Sequence, residues 1–125
     1  MIAILADTSV WADHFRSPSP LMAQMLADER IHMHAFVLGE LRMGNLPERR
    51  QTLEYLGELH WADLARDEEV TQLIESRRLF GLGLSWVDAH LLTSVVLSAG
   101  LKLWTRDRRL NEAARRFDRA ATLHH

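Results

Sequence analysis

The apolar residues of this chain come in short runs separated by helical patterns. Ile2 to Ala6 is apolar without alternation, as in a strand buried on both faces of a parallel sheet. Asp7-Thr8-Ser9 then supplies capping residues, and Val10, Trp11, His14 and Phe15 recur at helical spacing, so the order is strand, junction, helix. Arg16-Ser17-Pro18-Ser19-Pro20 reads as a loop, Leu21 to Asp28 as a short helix and Ile31 to Met33 as a strand. A third helix covers Phe36 to Met43. Pro47 fits the first turn of a fourth, running to about Glu58, and a brief strand at Leu59 to Trp61 follows. Arg66 to Leu79 is amphipathic around Val70, Leu73, Ile74 and Leu79, with Gly81-Leu82-Gly83 as its stop. Ser85 opens the most apolar helix, which ends at Gly100. Leu101 to Thr105 is a strand, Asp107 to Phe117 an arginine-rich helix, and Ala120 to Leu123 a candidate last strand.

Strands alternating with helices predict one layered α/β domain over residues 1–125, built on a parallel sheet. The length suits a single core, and 47% hydrophobic with 26% charged residues is the balance of a globular protein. No internal repeat or linker divides the chain. His124-His125 reads equally as native sequence or as the remnant of an expression tag.

Charge and cysteine content narrow the chemistry. With no cysteine, disulfides, thiolate zinc sites and cysteine nucleophiles are excluded, and a reducing cytoplasm is the expected compartment. The first residues lack a basic region ahead of an apolar core, so no secretory leader is expected. Leu91 to Leu101 is well short of the ~18 apolar residues of a membrane span. Fifteen Lys and Arg against seventeen Asp and Glu give a net charge of -2, which permits a nucleic-acid partner without predicting one. Gathering several acids around a cation would leave the remaining surface more basic than the total implies.

Four acids occupy informative positions. Asp7 and Asp107 each follow a predicted strand, where ligands bind in open parallel sheets, and right-handed crossovers place both on one rim. Each also fits a helix cap. Asp88 has the spacing of a capping box with Ser85. Glu40 lies near Phe36, Val37, Leu41 and Gly44, on or beside the apolar stripe of its helix, so it is either an exposed acid or a carboxylate aimed inward that needs a partner. Like charges sharing a site raise one another's pKa, and a divalent cation removes that cost. An all-oxygen set favours Mg²⁺, with Mn²⁺ as a close substitute, and such an ion suits phosphodiester hydrolysis.

The segments Asp7-Thr8-Ser9-Val10-Trp11, Gly39-Glu40-Leu41, Trp86-Val87-Asp88-Ala89-His90-Leu91 and Trp104-Thr105-Arg106-Asp107-Arg108-Arg109-Leu110 occur in that order across nearly the whole chain. Together they resemble the acidic signature of the VapC-type PIN domains. The resemblance implies a three-layer α/β/α sandwich around a short parallel sheet. It further implies an endoribonuclease that needs Mg²⁺ or Mn²⁺, acting as the toxin of a type II toxin-antitoxin system under a VapB-like antitoxin, and commonly a homodimer. By position, Asp7 and Asp88 are the main metal ligands, Glu40 and Asp107 complete the catalytic acidic cluster, and Thr105 is a polar helper for a water or phosphate.

Arg106, Arg108 and Arg109 are candidate contacts to the RNA backbone, with solvated helix surface or pairing to acids as the plain alternative. Arg42 fits either an antitoxin contact or a local charge partner. Trp86 and Trp104 read as core rather than base-stacking platforms, given their apolar neighbours, and Met22 and Met25, with Leu21 and Leu26, as gap-filling core rather than part of an interaction groove. His32-x-His34 would put two imidazoles on one strand face, but no third ligand is near and the pair is read as surface. Ser9 lacks the Gly-x-Ser-x-Gly elbow of a serine hydrolase. Two other functions fit parts of the pattern. One is a phosphatase forming an aspartyl-phosphate on Asp7, although Ser9 stands where a second Asp would be and Lys102 falls inside a strand. The other is a non-catalytic PIN-like binding module whose acids are structural.

Overall fold

The computed structural model describes residues 2–123, so the His124-His125 question lies outside the described residues. Within them, strand β1 (Ala3–Ala6) leads into helices α1 (Thr8–Arg16) and α2 (Pro20–Ala27). Strand β2 (Ile31–Met33) leads into α3 (Ala35–Arg42) and α4 (Arg49–Gly57), and β3 (His60–Trp61) into α5 (Asp67–Arg77) and α6 (Trp86–Leu97). Strand β4 (Leu101–Trp104) and helix α7 (Arg108–Arg116) complete the order. The four strands form one sheet, ordered β3-β2-β1-β4 and parallel throughout.

The unalternating run at the start of the chain becomes a central strand because both of its faces are covered. Ile4 and Leu5 point to opposite sides of the sheet, and both are buried, so helices lie on both faces and the domain has three layers. Val10, Met22, Val37, Leu56, Leu92, Leu103 and Leu110 join the same core from six helices and β4. Burying a side chain such as Leu92 contributes roughly 2 kcal/mol, and these contributions offset the entropy lost in ordering so many elements.

Three predicted boundaries move for identifiable reasons. Helix α4 begins two residues after Pro47, because Glu48 adopts a left-handed conformation at its cap (φ 45°) and Arg49 turns back to donate to the Arg42 and Gly44 carbonyls. Helix α5 stops at Arg77 instead of running to Leu79. Arg78 takes the left-handed position (φ 54°) usually given to glycine, and burial of Leu79, whose N–H donates to the Ile74 carbonyl, offsets that cost. The candidate last strand reduces to a single parallel bridge between Ala120 and Leu103.

The histidine pair on β2 is also dissolved. The strand ends at Met33, the chain turns, and His34 becomes the cap of α3 with its ring fully buried, contrary to the surface reading. His34 Nδ1 accepts from the Phe36 N–H at 3.0 Å, and Nε2 meets Ser94 Oγ at 3.1 Å, while that hydroxyl donates to the Asp63 carbonyl at 2.9 Å. These contacts fix the neutral Nε2–H tautomer. His32 instead faces His60 across the β2–β3 ladder, with ring centres 5.5 Å apart.

Candidate active site

Strands β1 and β4 run side by side with Ala6 opposite Trp104, so the next residues, Asp7 and Thr105, emerge together at the carboxyl edge of the sheet. Thr105 Oγ1 donates to Asp7 Oδ2 at 2.5 Å and accepts from the Asp107 N–H at 3.0 Å. One threonine thus joins two acids that lie a hundred positions apart in the chain. Asp7 also caps α1 through the Ser9 and Val10 N–H groups, and Asp107 caps α7 through those of Arg109 and Leu110. The structural and the chemical readings of these acids therefore coexist in one geometry.

Asp7 is the buried member of the set, 7% exposed, and no arginine, lysine or histidine among the described residues forms an ion pair with it. Burial pushes its carboxyl above the ordinary carboxylate range, against hydrogen bonds from Ser9, Thr105 and Val10 that pull it down. Only hydroxyl and N–H dipoles oppose its charge. A buried carboxylate in that state is a ready ligand for an external cation.

Asp88 and Glu40 stand on the same rim by different routes. Asp88 closes the capping box at the start of α6, its Oδ2 accepting from the Ser85 N–H at 3.0 Å. Helix α6 leads directly into β4, so its N-terminus lies at the carboxyl edge of the sheet. Glu40 is exposed rather than aimed into the core, which settles the alternatives its neighbours left open, and its Oε1 accepts from Thr8 Oγ1 at 2.6 Å beside the α1 N-terminus. In this side-chain arrangement no three acids or histidines among the described residues close around a single point. Asp88 Oδ1, Asp107 Oδ2 and Glu40 Oε2 nevertheless accept no hydrogen bond from the described residues. The donors are all oxygen, three have an oxygen to spare, and Asp7 lacks a counter-charge, which in donor chemistry, though not in side-chain convergence, suits a hard divalent cation.

The surroundings modify several expectations. Arg106 forms an ion pair with Asp13 at 3.2 Å, the plain alternative weighed for it, while no described acid pairs with Arg108, Arg109 or Arg42. Trp104 is core, but Trp86 is 47% exposed, correcting the reading that both are buried. The Trp86 indole stands edge-on to His90 at 4.9 Å, and Phe36 packs on that imidazole at 4.5 Å. Met22 and Met25 fill the core as expected. Lys102 donates to the Asp118 carbonyl at 2.6 Å, which leaves the phosphatase alternative without its lysine at Asp7.

Two residues of the site went unrecognised in the sequence. Ser9 Oγ donates to Asp7 Oδ1 at 2.5 Å and accepts from the Arg106 N–H at 3.0 Å, tying the β1 and β4 junctions together, and Thr8 holds Glu40. The sequence pattern gives both the role of capping residues, and Ser9 lacks the context of a hydrolase nucleophile. Two hydroxyls directly after a strand-end acid were the available signal. Concavities of about 350 Å³, lined by Thr8, Phe15, Glu40 and Leu41 among others, and of about 340 Å³, lined by Thr105, Arg106, Asp107, Arg108 and Asn111 among others, flank these groups.

The fold has counterparts among known proteins. The family model described as PIN domain matches residues 4–116. The protein named ribonuclease VapC32, found in two strains of Mycobacterium tuberculosis, is 42% identical over 110 residues, covering 88% of this chain and 89% of the relative. The crystal structure of PAE2754 from Pyrobaculum aerophilum superposes with a TM-score of 0.58 at 18% identity, over 94% of this chain and 97% of that one, a likeness of fold. No described helix is long and apolar enough to cross a membrane.

Proposed function

The chain belongs to the PIN-domain family, and on that premise we propose that it is an endoribonuclease dependent on Mg²⁺ or Mn²⁺, the toxin of a type II toxin-antitoxin pair. One observation carries the reading. A buried carboxylate without a cationic partner, Asp7, is joined through Thr105 to a second acid, Asp107, at the rim where three helices begin. The name of the relative at 42% identity, a ribonuclease, supports the same substrate class.

Asp7, Asp88, Glu40 and Asp107 would hold the ion. Bound there, a divalent cation supplies neutralisation of the scissile phosphate oxygens and a lower pKa for the attacking water. The chain supplies the rest. Thr105 and Ser9 fix the Asp7 carboxylate, so its orientation is set before substrate arrives. The N-termini of α1, α6 and α7 favour an anion at this rim. Arg108 and Arg109 at the start of α7, which no described acid pairs, offset the negative charge that would otherwise repel RNA, whereas Arg106 is engaged by Asp13.

The partners that accompany this reading are RNA as substrate, a VapB-like antitoxin and a second copy of the chain. Cleavage of total RNA by purified protein should appear with Mg²⁺ or Mn²⁺ and disappear with chelator. Asp7→Asn should fold and remain inactive. Cutting that persists in the Asp7→Asn protein, or absence of cutting with any RNA and either ion, would overturn the proposal.

A further inference from the structure

Beyond the acids, α7 carries a row of guanidinium groups that starts at the scissile centre with Arg108 and Arg109 and continues past it to Arg116. Arg108, Arg109 and Arg116 line a groove of about 440 Å³ together with Leu82, Glu112 and Ala113. No described acid forms an ion pair with any of these three arginines, and Glu112, the acid inside the groove, pairs with Arg115 at 3.4 Å. Arg108, Glu112 and Arg116 recur every four residues on one helix face, so the row extends about 12 Å from the end of α7 that Asp107 caps.

The groove is organised as well as charged. Gly83, with φ +81°, lies under the Arg109 side chain, and a methyl group there would stand 2.9 Å from Arg109 Cδ and 3.0 Å from Cζ. The absent side chain is what lets the arginine lie across the loop. Arg116 is held from the other side, its Nη2 donating to the Arg77 carbonyl at 3.2 Å, and the Arg77 guanidinium sits 5.1 Å above the Phe117 ring. Leu82, 41% exposed, and Ala113 contribute apolar surface between the charges.

We propose that this groove is the track for the single-stranded RNA segment beyond the bond that is cut, with backbone phosphates on Arg108, Arg109 and Arg116 and a base or ribose against Leu82. The inference rests on the nuclease reading of the acidic rim and extends it to a substrate subsite with Arg116 at its far end. Unpaired guanidiniums held in place suit the bidentate acceptors of a phosphodiester chain. A row that begins beside Asp107 and continues for more than one nucleotide suits a strand longer than the scissile step. Apolar surface between the charges suits the alternation of phosphate with base.

The test measures RNA affinity by fluorescence anisotropy in the full chain carrying Asp7→Asn, so that cleavage does not intervene. A trinucleotide and a longer single-stranded oligomer are compared with and without Arg116→Gln. Loss of Arg116 should weaken the longer oligomer about three- to tenfold, reduce the slope of log affinity against log salt by about 0.7, and leave the trinucleotide unchanged. Arg116→Lys should restore most of the salt slope. Unchanged affinity and slope for the longer oligomer in a folded Arg116→Gln protein would overturn the proposal, as would equal loss for both lengths. Arg116-dependent capture of polyglutamate with no effect on RNA would also overturn it, assigning the groove to an acidic protein segment. Failure of the nuclease reading has a separate signature: the unsubstituted chain cuts no RNA with either ion.

Discussion

Between neutral pH and about pH 4 the stability of this protein should fall with a slope to which His34 contributes, in the same direction as the burial-lowered His14 and His32. Its ring is fully buried, Nδ1 accepts from the Phe36 N–H and Nε2–H donates to Ser94, so a second ring proton has no acceptor and would displace the Phe36 contact. Burial, and then the neighbouring His90, lowers its pKa from 6.5 to about 4. The unfolded chain therefore takes up this proton first. The His34 contribution is complete above the unfolded value of 6.5, is lost as pH falls toward the folded value of about 4, and changes no further below it. At about 1.4 kcal/mol per pKa unit the loss amounts to roughly 3 kcal/mol, a large share of the about 5–15 kcal/mol typical of a domain. Urea unfolding across this pH range, compared with His34→Asn, isolates the term from the titrating acids. Asparagine still caps α3 but does not titrate, so the variant should start about 2 kcal/mol less stable at neutral pH, and the two curves should converge on acidification. Parallel curves would refute the assignment, as would an NMR titration placing His34 near 6.5.

Other residues give independent checks. Asp7→Asn should raise the melting temperature in the absence of divalent cations, because burial disfavours the carboxylate and asparagine keeps the cap, while RNA cleavage disappears; a lower melting temperature would mean the charge is not strained. Thr105→Val should cost about 1–3 kcal/mol in chemical denaturation by leaving Asp7 Oδ2 and the Asp107 N–H unpartnered, and should lower kcat, with Thr105→Ser restoring both. Leu92→Ala, at a fully buried position, should lower unfolding free energy by about 2–5 kcal/mol without shifting the divalent-ion requirement proposed for cleavage.

What could be read from the chain and what could not divides along the range of the interactions involved. The unalternating run before Asp7, the Asp7-Thr8-Ser9 junction and the Ser85 to Asp88 box are local signals, and β1, α1 and α6 form where those signals lie. Glu40 was ambiguous because apolar neighbours three or four residues away do not say which side of a helix meets the core; a hydrogen bond from Thr8, on another element, decides it. Trp86 and Trp104 have similar neighbours, yet only Trp104 comes from a strand covered on both faces. His34 turns inward because β2 is one residue too short to keep it on the sheet, and Arg78 accepts a left-handed backbone because Leu79 is buried. The acidic positions were legible as a pattern, whereas the hydroxyls of Thr8 and Ser9 that bind two of them across the fold were not.

The caps at Asp7 and Asp107 give the chain an unusual mutational neighbourhood. The oxygen that stabilises each helix accepts hydrogen bonds from backbone N–H groups, and an asparagine carbonyl performs that task equally well. If these acids hold the ion as proposed, fold and reactivity part company at a single atom, an oxygen exchanged for an amide nitrogen. A lineage carrying that exchange would retain a folded domain with its arginine face intact and its chemistry gone. Such a chain would compete for every partner of the active form, so the route from enzyme to inhibitor of its own kind is one residue long.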